Sequence, residues 1–163
     1  TEIIQILLNN GADVNAKKFG DITPLILAVM NDHFESVKIL IEFVYDKQRH
    51  KFIDFINASD AGGDTVIHWA VEQHVPQENT RVIELLIKKN VDLNVVNGVR
   101  LTPLLMAINQ IDVEVCDLLV KEGNARVGDL GKGVDLATEA AVNLPPGPNQ
   151  ARIVDTVFGV GVF

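Results

Sequence analysis

The side chains that could carry chemistry are few and scattered. The chain has four histidines, His33, His50, His68 and His74, and one cysteine, Cys116. A zinc site takes three or four Cys, His or carboxylate ligands at short spacings, and these residues offer no such set. A single cysteine forms no internal disulfide and fits a reducing compartment. Gly128, Gly131 and Gly133 are spaced loosely like a phosphate-cradling loop. No Gly-Lys-Ser/Thr sequence closes them and no strand-like run precedes them, so a turn is the better reading. Carboxylates such as Glu35, Glu42 and Asp46 lie at the spacing of a solvated helix face. The sequence therefore predicts no catalytic residue, no metal site and no cofactor.

The charge balance narrows the partners. Asp and Glu number 22 against 14 Lys and Arg, a net charge of −8. That disfavours nucleic acid and anionic membrane, since neutralising phosphate takes clustered Lys and Arg. No apolar run reaches the roughly 18 residues of a membrane span. The chain opens Thr1-Glu2, without the basic stretch of a signal peptide, and the expected compartment is intracellular, in the cytoplasm. The composition is 47% hydrophobic but only 6% aromatic, which predicts an aliphatic core of the kind packed helices form.

Those helices announce themselves as a repeat. Thr23-Pro-Leu-Ile-Leu-Ala28, Thr65-Val-Ile-His-Trp-Ala70 and Thr102-Pro-Leu-Leu-Met-Ala107 align, each with Thr first and Ala five residues later. Val14-Asn15, Ile56-Asn57 and Leu93-Asn94 precede them, always with eight residues from Asn to Thr. A third, apolar-periodic pattern recurs at Glu2–Leu8, Glu35–Ile41, Arg81–Ile87 and Glu114–Val120. Cys116 takes the place of Val37 in it, which predicts a buried, inert thiol. Thr suits a helix N-cap, and Pro24 and Pro103 suit the first turn. Gly11, Asn90 and Gly123 follow second helices, where a left-handed residue commonly ends the helix.

This order resembles the ankyrin repeat, with its T-P-L-H-x-A signature and period of about 33 residues. The step from Thr23 to Thr65 is 42 and that from Thr65 to Thr102 is 37. The surplus falls around Asp46–Asp54 and in the turn His74–Thr80. The resemblance implies an all-α fold with short hairpin turns: an ankyrin-repeat solenoid of stacked antiparallel helix pairs. The expected division is a partial repeat over 1–18, repeats over 19–59, 60–97 and 98–130, a degenerate terminal repeat over 131–158 and a tail over 159–163. Asp135 replaces Thr as the cap of the last unit, the three prolines of 145–148 force a loop, and Gln150–Phe158 reads as the closing helix. Both ends read as cut from a longer array, because Thr1 begins at a second helix and the tail is apolar.

The resemblance also implies a role. Ankyrin arrays bind a protein or peptide on a concave face built from hairpin tips and first helices. By register, the contact residues here are Phe19, Ile22, Met30, Asp64, Glu72, Val99, Leu101 and Asn109. Apolar residues at hairpin tips read either as contact surface or as packing on the neighbouring hairpin. Asp64 and Glu72 suit a partner with a basic element. A second candidate patch is Lys47, Arg49, Lys51 and Phe52, a basic island that either docks an acidic peptide or extends a helix with a solvated face. His68 occupies the signature's His slot, expected to bond backbone between repeats. Trp69 is expected to point into the stack, and His33 and His74 to be solvated in turns. Asn15 and Asn94 resemble asparagine hydroxylation sites of some ankyrin proteins. The alternative function is an accessory or substrate-recruiting segment of a larger enzyme whose catalytic domain lies outside this chain.

Overall fold

The computed structural model describes residues 2–74, 80–127 and 136–159. Among them the regular structure is helical: α1 (Glu2–Asn9), α2 (Pro24–Met30), α3 (Phe34–Lys47), α4 (Phe52–Ile56), α5 (Val66–Gln73), α6 (Arg81–Lys88), α7 (Pro103–Asn109), α8 (Val113–Asp117), α9 (Leu136–Val142) and α10 (Pro148–Gly159). The helices form two layers. The first helices α2, α5, α7 and α9 pack side by side, and α3, α6, α8 and α10 each pack on the first helix of their own pair. Ala28, Ala70 and Ala107 are buried, and their small side chains let the first helices approach. Leu25, Leu40, Ile41, Ile67, Leu86, Leu104 and Leu119 fill the space between layers, while Ile39 is only partly buried against them.

The repeated threonines start the first helices. Thr23 accepts from the Ile26 amide at 3.3 Å and Thr102 from the Leu105 amide at 3.2 Å. Each of these helices follows a hairpin closed by one recurring backbone bond: Lys18 to Ile22, Asp60 to Asp64 and Asn97 to Leu101, all at 3.0 Å from amide to carbonyl. Successive hairpins are joined as well, Ala61 donating to Gly20 and Gly98 to Gly62 at 2.8 Å. That contact needs glycine. A Cβ on Gly98 would lie 2.5 Å from the Gly62 carbonyl oxygen, closer than any real contact. The conserved eight-residue distance from Asn to Thr thus spans one hairpin, and the asparagines tie the array together. Asn57 Oδ1 accepts the Asp92 amide and Asn94 Oδ1 the Arg126 amide, both at 2.8 Å. Asn15 Oδ1 is buried without a partner. The residue two before Asn57, which by register would supply its amide, lies inside α4.

Three expectations are corrected here. Gly123 has φ −91, and the left-handed residue is Asn124 at φ 55, whereas Gly11 and Asn90 have φ 86 and 57. The cause is a wide turn over Leu118–Glu122, in which the helix continuing α8 opens to i→i+5 bonding and so delays its end by a residue. Gly123 is instead required for packing, since a Cβ there would meet Leu93 Cδ1 at 2.4 Å and the Leu119 carbonyl at 2.9 Å. His74 is not solvated. Its side chain is 3% exposed and its Nδ1 lies 2.6 Å from Asp112 Oδ2, itself buried. The chain leaves α5 at His74 with φ −68 and ψ 128, where the other inter-helix turns have Asp32 and Ile111 at positive φ. The closing helix begins at Pro148, two residues before the predicted start, because proline at a helix's first position loses no bond. Asp135, Gly128, Gly131, Gly133 and the extra turn residues 75–79 lie outside the described residues.

Candidate functional site

The hairpins and the outward sides of α2, α5 and α7 form the surface to which the register assigns binding. Its centre is a cleft of about 300 Å³ between the second and third hairpins. Asp64, Trp69, Glu72, Val99, Leu101 and Met106 line it, with His68 and Asn97 at its base. Four of the eight register-assigned residues, Asp64, Glu72, Val99 and Leu101, therefore meet in one place. Phe19, Ile22 and Met30 belong to the preceding hairpin and helix, and Asn109 lies exposed at the end of α7. Phe19 is 97% and Val99 73% exposed, so the two hairpin tips stand in water and do not pack on a neighbour. Ile22 and Leu101 are half-buried against the core.

The base of the cleft is a fixed polar network. His68 is fully buried. Its Nδ1 accepts from the Thr65 amide at 3.2 Å and lies 2.9 Å from the Thr65 hydroxyl. An accepting Nδ1 puts the proton on Nε2, which donates to the Leu101 carbonyl at 3.2 Å in the next repeat. Burial holds the imidazole below its usual pKa, against the Leu101 bond and the charge of Asp64. His68 is thus a neutral cross-repeat strut, the role implied by its place in the signature. Asn97 donates to Asp64 Oδ1 at 2.7 Å, while its own Oδ1 accepts the amides of Val99 and Leu101. Asp60 makes the equivalent turn in the preceding hairpin, accepting the amides of Gly62 and Asp64.

Trp69 departs from expectation. It is half-buried, not in the stack, and its indole Nε1 donates to Asp60 Oδ2 at 2.9 Å. The place four residues after each Thr holds Leu27, Trp69 and Met106, all partly or wholly exposed. A helix puts positions three and four apart on one face, so these residues share the face of Glu72 and Gln73. That spacing was the signal for them, and it points the other way from the place Trp69 holds in the repeat signature.

The basic island is divided. Lys47, Arg49 and Lys51 are exposed, but Phe52 is 6% exposed and packs edge-on against Tyr45 at 5.2 Å. The insertion lengthens α3 and adds α4, whose Phe52, Phe55 and Ile56 join the core. Arg49 and Lys89 each lie 4.2 Å from the Tyr45 ring centre. Phe52 is therefore not part of a surface patch, because it anchors the inserted turn. Cys116 is buried, and burial together with the charges of Asp112 and Asp117 pushes its thiol up to about 12. No group of three or more His, Cys, Asp or Glu among the described residues could hold a metal ion, and no helix among them is long and apolar enough to cross a membrane.

The family model for ankyrin repeats in three copies matches residues 1–97. The chain belongs to the ankyrin-repeat family. The hairpin bond, the Thr102 cap and the α7–α8 pair carry the same register past residue 97. Among similar proteins, alpha-latrotoxin-Lg1a of Latrodectus geometricus is 32% identical over 126 residues, which are 77% of this chain and 8% of the toxin. A putative ankyrin repeat protein of Borreliella burgdorferi is 29% identical over 119 residues, 73% of this chain and 48% of that protein. The ankyrin repeat-containing protein BDA1 of Arabidopsis thaliana is 35% identical over 82 residues, 48% of this chain and 18% of its own length. The chain spans less than half the length of each of these relatives. Ankyrin repeats are generally protein–protein interaction modules and typically non-catalytic.

Proposed function

We propose that this ankyrin array is a protein–protein interaction scaffold that holds a protein or peptide segment on its concave hairpin and first-helix face. The observation that carries this reading is the cleft where Asp64, Trp69 and Glu72 of one repeat meet Val99, Leu101 and Met106 of the next. Two exposed apolar tips, Phe19 and Val99, lie on hairpins of the same array, and Val99 adds to the apolar lining of the cleft with Leu101 and Met106, where a contiguous apolar patch favours an interaction site. The acidic lining favours a partner with a basic element. A rigid face of this kind works by geometry and not by chemistry.

The test is affinity capture by the whole chain, beside Phe19→Glu and Val99→Glu variants. Circular dichroism checks that all three fold, as both positions are exposed and their loss leaves the core intact. Protein retained by the parent and lost by either variant is the expected result. Retention equal across all three would sink the reading. A second reading is a substrate-recruiting segment of a larger enzyme. Such a segment would use the same face.

A further inference from the structure

We infer that the cleft between the second and third hairpins takes a single arginine side chain of the bound partner, with the guanidinium on the face of Trp69 and its charge met by Asp64 and Glu72. This deepens the scaffold reading above and rests on it.

The chemistry of the lining points to one cation. Two carboxylates border the cleft, Asp64 and Glu72, and a third, Asp60, lies behind it. No Lys or Arg lines the cleft, and none of the three carboxylates makes an ion pair among the described residues. His68 is the one other ionisable group there. It is neutral, because its Nδ1 is committed to accepting from Thr65 and its Nε2 proton to the Leu101 carbonyl. Among the described residues, no cation in the cleft lining or in an ion pair offsets the negative charge of the site.

The two bordering carboxylates each keep an oxygen for a ligand, while both oxygens of Asp60 are taken by the Gly62 and Asp64 amides and the Trp69 indole. Asp64 is held by Asn97 through Oδ1, leaving Oδ2. Glu72 is held by Gln110 through Oε2, 3.1 Å away, leaving Oε1. Asn97 opens the third hairpin and Gln110 ends α7, so the following hairpin and helix orient the two acids without neutralising them. The Trp69 indole is also fixed, since its only donor is spent on Asp60. A tied indole presents its face and not its N–H, which is the arrangement a cation over an aromatic ring requires.

The apolar walls favour arginine in particular. Val99, Leu101 and Met106 would cover the methylene stem while the planar head stacks on the indole and reaches two separate carboxylate oxygens. A guanidinium does this with its forked donors, and a point-charge ammonium does not. The volume, about 300 Å³, is at the lower limit for small-molecule pockets and suits one inserted side chain.

Trp69 is the sole tryptophan of the chain, so its fluorescence reports the cleft directly. The probes are two acetylated, amidated pentapeptides, Gly-Leu-Arg-Leu-Gly and its isosteric citrulline counterpart, titrated at low salt into the whole chain. The arginine peptide should give a saturable change in Trp69 emission. The citrulline peptide should give none at the same concentrations. An Asp64→Asn, Glu72→Gln double variant should bind the arginine peptide at least about fivefold more weakly, and Glu42→Gln, outside the cleft on α3, should bind as the parent does. Equal response to the two peptides, no response to either, or unaltered binding by the double variant would overturn the inference. The scaffold reading fails separately. If captured protein is lost on Val99→Glu but kept by the double variant, the face is an interface and the arginine anchor is wrong.

Discussion

His68 and His74 are the same residue type six positions apart, and each is explained by what holds it. His68 is placed by a threonine at the start of its own helix and a carbonyl of the next repeat. His74 sits at the end of that helix and is bound by Asp112, whose other oxygen caps α8 through the Val115 amide at 3.1 Å. Both histidines join one repeat to the next, although neither is near chemistry. Gly123 shows the same dependence on surroundings. Its backbone is ordinary, so any residue could adopt it, but there is no room for a side chain beside Leu93 and the Leu119 carbonyl. Leu93 can rotate aside, whereas a backbone oxygen cannot. Gly123→Ala should therefore cost about 1–3 kcal/mol, read as a lower urea midpoint with unchanged slope. A midpoint equal to the parent's would mean that the wide turn relaxes freely.

At the scale of elements, α10 is held to the stack by Ile153 and Val157 and by the carboxylate of Asp117. The Thr156 hydroxyl donates to Asp117, Lys121 Nζ lies 2.8 Å from it and Arg152 3.9 Å. Burial raises the Asp117 carboxyl, but the bonds from Lys121 and Thr156 and the charges of Lys121 and Arg152 outweigh it and hold the pKa below the ordinary 3.8. A carboxyl depressed in the folded state contributes stability above its unfolded value and loses it as pH falls through the lower folded one. Asp117→Asn should thus lower stability at neutral pH and leave a shallower decline below about pH 4, measured by urea unfolding at a series of pH values. A decline as steep as the parent's would clear Asp117 of that role. The elements themselves were largely legible in the sequence. The Thr-to-Ala pattern located α2, α5 and α7, and the constant Asn-to-Thr distance located the hairpins between them. The insertion near Asp46 was legible as extra length but not as a lengthened α3 plus a buried α4, since Phe52 and Phe55 have no counterpart in the other repeats. Trp69 differs for the converse reason: its place in the signature implies the stack, whereas helical spacing puts it on the face of Glu72 and Gln73. The turn at Leu118–Glu122 left no trace in residue types, because Gly123 reads equally as a left-handed helix end.

Over the whole molecule, each repeat is stabilised by its neighbours, and the number of neighbours differs along the array. The helices α5 and α7 lie between two first helices each, and α5 carries Ile67, His68 and Val71 fully buried. By contrast α1 packs chiefly on α3 and buries only Leu8. Ile3, Ile6 and Leu7 are more than half exposed, and Ile4, Leu7 and Leu8 border an open apolar groove with Pro24 and Leu27. When residues 1–163 are taken by themselves as a linear stack, opening at one end breaks one interface, whereas opening the centre breaks two. Local opening free energies should then follow position. Amide exchange in the whole chain should be slowest in α5, α6 and α7, and the amides of α1 should exchange at least about a hundredfold faster, a difference of roughly 2.7 kcal/mol in opening free energy. The hairpin bonds of Asp60 and Asn97 should be protected with the centre, because the cross-links Ala61–Gly20 and Gly98–Gly62 tie them to hairpins on either side. Equal protection from α1 to α7 would show that the array opens only as a single unit. A graded pattern would mean that the cleft, built on the two central repeats, sits on the part of the molecule that opens least. That rigidity is what a binding face requires if its partner is to be met without first ordering the array.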